Sequence, residues 1–162
     1  MRNRKFVAEH RGGELTLDHQ RELMHWAIAC AEHVLPLVQE EAIDNRLIYA
    51  LYVAKEWEKG NVKTGLAMKA ARDVHALARN LTNPILKYIA RSIGQAVSTA
   101  HMADHSMGAA LYALKAVKEV NKSIDDEKAW QDEKIKNLPN EIITLVKETL
   151  NEKKQGFKDL RD

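Results

Sequence analysis

Between Ile93 and Ala113 the chain reads IGQAVSTAHMADHSMGAALYA, and this stretch restricts the possible folds more than any other. Its spacing is helical: Ile93, Val97, His101 and His105 recur four residues apart and stack on one stripe, with Ala96, Ala100 and Asp104 beside them. Two imidazoles and a carboxylate therefore lie on the face that enters the core. Buried polar groups cost free energy unless they are hydrogen-bonded, so the fold has to bring partners to these three side chains.

The same period runs through most of the chain. Thr16 is placed to cap a first helix in which Leu23, Trp26, Ala27, Cys30, Val34 and Leu37 share a stripe, and Pro36 ends it near His33–Leu35. Asp44 caps a second helix, whose stripe is Leu47, Ala50, Leu51, Ala54 and Trp57, and Gly60 stands at its C-terminal cap. Thr64 caps a third, reaching about Asn80. Asn83-Pro84 opens a fourth with an N-cap followed by proline at the first helical position. A break or tight bend is expected around Met102–Ser106, followed by a fifth helix to about Asn121. Ser123 or Asp125 caps a sixth containing Trp130, and Leu138-Pro139 separates it from a seventh carrying Ile142, Ile143, Val146 and Leu150. The expected architecture is all-α: a single-domain antiparallel bundle or array of about six to seven helices, with alanines that let axes approach closely. Residues 1–15 form an irregular N-terminal segment, 16–153 the helical domain, and 154–162 belong to a polar tail expected to fray.

Composition narrows the function by exclusion. A net charge of +2 in 162 residues is neither that of an acidic nucleic-acid mimic nor that of a strongly basic DNA-binding surface. Cys30 is the sole cysteine, so no intramolecular disulfide forms. No apolar run is long enough to span a bilayer, and the basic start lacks the apolar segment of a secretory signal. The expectation is a cytoplasmic protein with no membrane or nucleic-acid partner. Arg2, Arg4, Lys5 and Arg11 read as solvated terminal charge, and Gly12-Gly13, followed by Glu14, is no phosphate loop.

The candidate site is HxxDH, His101, Asp104 and His105. Histidines at i and i+4 have zinc-ligand spacing, and Asp104 would add a third ligand or orient a ring. Cys30 and His33 on the first helix would complete a tetrahedral set if that helix faced the fourth. The competing reading is structural, a buried hydrogen-bond network in which Asp104 holds an imidazole. That reading requires no cofactor. A metalloprotease lacks its HExxH glutamate, and the His-Asp dipeptide of helical phosphohydrolases is reversed here. A site built from His25, His33, His75 and His101 has no defining spacing. Cys30, amid apolar neighbours, reads as core rather than nucleophile, and Trp26, Trp57 and Trp130 read as core aromatics.

Several stretches together carry a family resemblance: WAIACAEHVLPL at 26–37, the Trp57 region ending in Gly60, GQAVSTAHMADHSMGAALYALKAV at 94–117, and Trp130-Gln131 with Leu138-Pro139. They resemble the immunity proteins of bacterial polymorphic toxin systems, the helical immunity-protein-five-like group, from about residue 17 to about 147. AHxADHxxGAAxYA, from Ala100 to Ala113, is the most specific part. The resemblance implies a small all-α cytoplasmic protein that binds a cognate toxin and blocks it without catalysis. It also implies that His101, Asp104 and His105 are a structural centre rather than the toxin-facing surface. Two other readings stay open: a metal-binding protein or metal-dependent hydrolase built on HxxDH, and an oligomer packed through its alanine-rich helices.

Overall fold

The computed structural model describes residues 2–154 together with Phe157 and Leu160. Seven α-helices pack together and no strand forms among the described residues. They are α1 (Leu17–His33), α2 (Asn45–Glu58), α3 (Thr64–Asn80), α4 (Pro84–Ser98), α5 (His105–Glu119), α6 (Ile124–Lys134) and α7 (Asn140–Lys154). No helix is long and apolar enough to cross a membrane among these residues.

Local chemistry accounts for most boundaries. Thr16 Oγ1 accepts from the His19 N–H, Asp44 from Arg46, Asn83 from Ile85 and Leu86, and Ser123 from Asp126, so four helices start on side-chain caps. Gly60 closes α2 at φ +82°, a left-handed cap that glycine adopts without a Cβ clash. Thr64, expected from the sequence to cap α3, is instead its first residue. Its hydroxyl instead accepts from the Trp57 indole N–H at 3.0 Å, and the true cap position, Lys63, has no capping side chain.

The α4–α5 pair is the centre of the molecule. Ser92 Oγ donates to the Ala109 carbonyl at 2.7 Å, and Gln95 meets His105, so the residue pairing runs in opposite directions along the two helices. Ala96, Ala109, Ala113 and Ala116 are all fully buried, and small side chains of this kind bring helix axes close. One core joins α1 to α5 through residues such as Met24, Leu47, Val74, Ile89 and Ile93. A second gathers Phe6, Leu15, Leu23, Trp26, Cys30, Met107, Ile135 and Val146. It anchors the N-terminal segment, which folds as two single-turn 3₁₀ helices, Arg4–Phe6 and Glu9–Arg11, and one isolated bridge between Ala8 and Leu15.

Three further expectations need correction. The α4–α5 break spans Thr99–Asp104, beginning before Met102, so His101 lies in the elbow and not on a helix stripe. Trp130 is half-buried, stacked face to face on His33 instead of entering the core. Lys154 continues α7, and Leu160 is buried against Leu111 and Leu114, so the described part of the tail is not uniformly frayed polar chain. Tail positions 155–156, 158–159 and 161–162 lie outside the described residues.

Candidate functional site

The expected site forms at the elbow between α4 and α5. The end of α4 tightens into i→i+3 hydrogen bonds: Ala100 N–H donates to Val97 and His101 N–H to Ser98. That turn leaves carbonyls exposed inside the protein. Gln20, buried on α1, answers them with its amide, Nε2 lying 3.0 Å from both the Thr99 and Ala100 oxygens.

Asp104 occupies the N-cap position of α5 yet caps nothing, because its backbone is already helical. Its carboxylate turns outward to the Arg2 guanidinium at 3.0 Å, which ties the N-terminal segment to the elbow. His105 begins α5, and its Nδ1–H donates to Gln95 Oε1 at 2.8 Å. Gly108 lies one turn beyond. A Cβ there would lie 2.6 Å from Gln95 Oε1, so a larger residue would have to push aside the amide that holds His105. The His101 and His105 rings sit 5.5 Å apart, tilted by 50°. His101 Nδ1 is buried and has no hydrogen-bond partner.

The electrostatics follow from this placement. Burial lowers the pKa of His101, and Arg11, Arg2 and Arg72 lower it further against the opposing pull of Asp104. Burial also dominates at His105, whose pKa is lowered despite the nearby carboxylate. Both imidazoles are neutral at physiological pH.

The structure thus gathers His101, Asp104 and His105, but not as the sequence suggested: Asp104 holds an arginine, and a glutamine holds the imidazole. Cys30 packs in the same core as Ala103 and Met107, beneath the elbow. It is fully buried, and burial pushes its thiol pKa well up, with Glu127 and Asp132 adding to the effect. His33 belongs to a different place, the α1–α6 contact, where its Nδ1–H donates to Glu127 at 2.6 Å and its ring stacks on Trp130 at 3.5 Å. His25 pairs with Glu58, and His75 accepts from Arg91, so the four histidines considered as a set stay apart. Among the described residues no group of three or more His, Cys, Asp or Glu side chains is arranged to hold a metal ion.

Sequence reasoning missed Gln20, Gln95 and Arg2, the groups that complete the elbow. Gln20 carried a signal, an amide one turn before Leu23 on a buried stripe. Arg2 carried none, since its partner lies 102 residues away. A surface feature was also overlooked. With Leu47, Ala50, Leu51 and Ala54 facing inward, α2 must present Ile48, Tyr49 and Tyr52 outward, and these are 49%, 51% and 57% exposed. The two tyrosine rings lie 6.4 Å apart. Ion pairs flank them, Arg46–Asp44 at 2.8 Å and Lys55–Glu32 at 2.7 Å.

No curated protein and no solved structure matches the chain. The family model described as Imm-5 like putative immunity protein matches residues 13–138, from just before α1 to Leu138 of the second core. That span holds the elbow, the α4–α5 pair and the α2 face, and the chain belongs to the Imm-5 like putative immunity protein family.

Proposed function

We propose that this protein protects the cell that makes it by binding a cognate toxin and occluding it, with no chemistry of its own. The family match over residues 13–138 carries the reading. The α2 face supports it and supplies the contact surface. Exposed tyrosines beside an aliphatic residue, rimmed by ion pairs, have the composition of a protein-binding hot spot: aromatic area at the centre and charge at the edge. Tyrosine contributes large contact area with few rotatable bonds, so its ordering cost on binding is low.

The site chemistry is consistent with occlusion. Cys30 is sealed and protonated, and the carboxylate and one imidazole of HxxDH are engaged by Arg2 and Gln95. The competing metal-dependent reading makes a separate demand: protein purified without an affinity tag should carry stoichiometric metal and gain thermal stability from added zinc.

Co-expression with the toxin encoded beside the gene tests the proposal. Growth rescue, and a complex recovered from the rescued cells, is the expected outcome. Failure of both would contradict it.

A further inference from the structure

A second site lies on the other flank of the elbow, between the N-terminal segment, α1 and the start of α3. It is a cavity of about 380 Å³, within the range of small-molecule sites. Arg2, His10, Arg11, Arg21, Lys63 and His101 line it, and no Asp or Glu does. The ion pair at its edge, Arg2–Asp104, accounts for one of these charges.

Two independent observations say that this concentration of cations is unfinished. Among the described residues, the buried side-chain nitrogens left without a hydrogen-bond partner are Arg2 Nε, Arg21 Nε and His101 Nδ1, and all three residues line this cavity. Buried polar atoms are normally satisfied, and these three, covered within the cavity wall, are not, so the side chains that line this space are not fully held by internal partners. The N-terminus of α3 also opens here. Lys63 and Thr64 line the wall, and no side chain caps the first turn of this 17-residue helix, whose free N–H groups add positive potential. The field is felt by His101, which Arg11 and Arg2 help to keep neutral.

We propose that this cavity binds a phosphate group carried by a small molecule. The cations arrive from three directions, Arg2 and Arg11 from the N-terminal segment, Arg21 from α1 and Lys63 from α3, with the neutral His101 imidazole beside them at the elbow. A planar carboxylate with one charge meets such a set poorly, whereas a tetrahedral, multiply charged oxyanion accepts from all sides. The volume exceeds what one phosphate fills, and Leu17 and Trp57 supply apolar wall for the remainder of the ligand. This site does not depend on the toxin-binding reading, and either can fail alone.

The test is calorimetric titration of the full chain with pyrophosphate at fixed low chloride, with succinate as the carboxylate comparison. Saturable binding is expected for pyrophosphate and not for succinate. Arg21→Gln, and separately Lys63→Gln on the exposed helix start, should each weaken it by about tenfold or more, as expected for losing one charge-assisted contact. Arg79→Gln, at the far end of α3, should leave it unchanged. Far-UV circular dichroism checks that each variant is folded, and Lys63→Gln keeps the test decisive if Arg21→Gln is not. Absence of saturable heat, equal binding of succinate, or equal weakening by Arg79→Gln would overturn the proposal.

Discussion

Gln20 shows how much one side chain decides at the elbow. Its amide is the partner of two carbonyls that the end of α4 cannot satisfy, and it is buried while doing so. Gln20→Met keeps the volume and removes the donor, leaving both carbonyls dry. The expected loss is about 1–3 kcal/mol, read from urea unfolding midpoints. Asp104 should behave differently although the sequence ranks it higher. Its pair with Arg2 is partly exposed at both ends, so Asp104→Asn should cost about 1 kcal/mol or less. A loss well above that in the same assay would mean that the carboxylate has a buried role. The histidines should make the fold sensitive to acid. His75, desolvated and facing Arg91, is held to about 4, and His101 and His105 are also lowered from 6.5. In the unfolded chain these imidazoles take up protons as pH falls below about 6.5, while in the fold they do not. Protons therefore favour unfolding, and stability should decline from about pH 6.5 toward 4. Denaturation midpoints across that range check the trend, and proton NMR of the His75 ring checks the value.

At the scale of elements, the α4–α5 pair is fixed by what is absent from it. Alanines at 96, 109, 113 and 116 leave no space between the helices for larger side chains. Ala109→Leu should force the axes apart and lower stability by about 1–3 kcal/mol or more in the urea assay. An unchanged midpoint would mean that the interface is looser than drawn. The helices themselves were legible because local rules govern them: Thr16, Asp44, Asn83 and Ser123 cap through bonds two or three residues long, and Pro36 and Gly60 stop the chain where they stand. The elbow was not legible to the same degree. Periodicity carried His101 forward on the α4 stripe, but the chain turns at Thr99 because Gln20, from another helix, stabilises the turn. Asp104 was read as an imidazole's partner for the same reason. Arg2 reaches it only in three dimensions, and the partner that took the imidazole, Gln95, looked like any amide on a helix. Trp130 fails similarly: its hydrophobicity points inward, while the flat stack with His33 at the α1–α6 contact keeps it half outside.

As a whole the molecule has a sealed interior and two unfinished surfaces. Apart from three nitrogens beside the cationic cavity, the buried polar side chains of the described residues find partners within the fold, which fits a protein whose work is done from outside. The cationic cavity lies at the elbow flank, and the exposed Ile48, Tyr49 and Tyr52 lie on α2. The second is the contact surface proposed for a cognate toxin. Because these three side chains are exposed, truncating them should leave folding stability within about 0.5 kcal/mol of the parent. Their effect on binding is then separable from any effect on the fold. The most direct measurement is the affinity of the purified toxin for the parent chain and for the Tyr49→Ala/Tyr52→Ala variant. The account predicts tight binding to the parent and a loss of about 2 kcal/mol or more in the variant, roughly thirtyfold in Kd. Equal affinity for both proteins would contradict it.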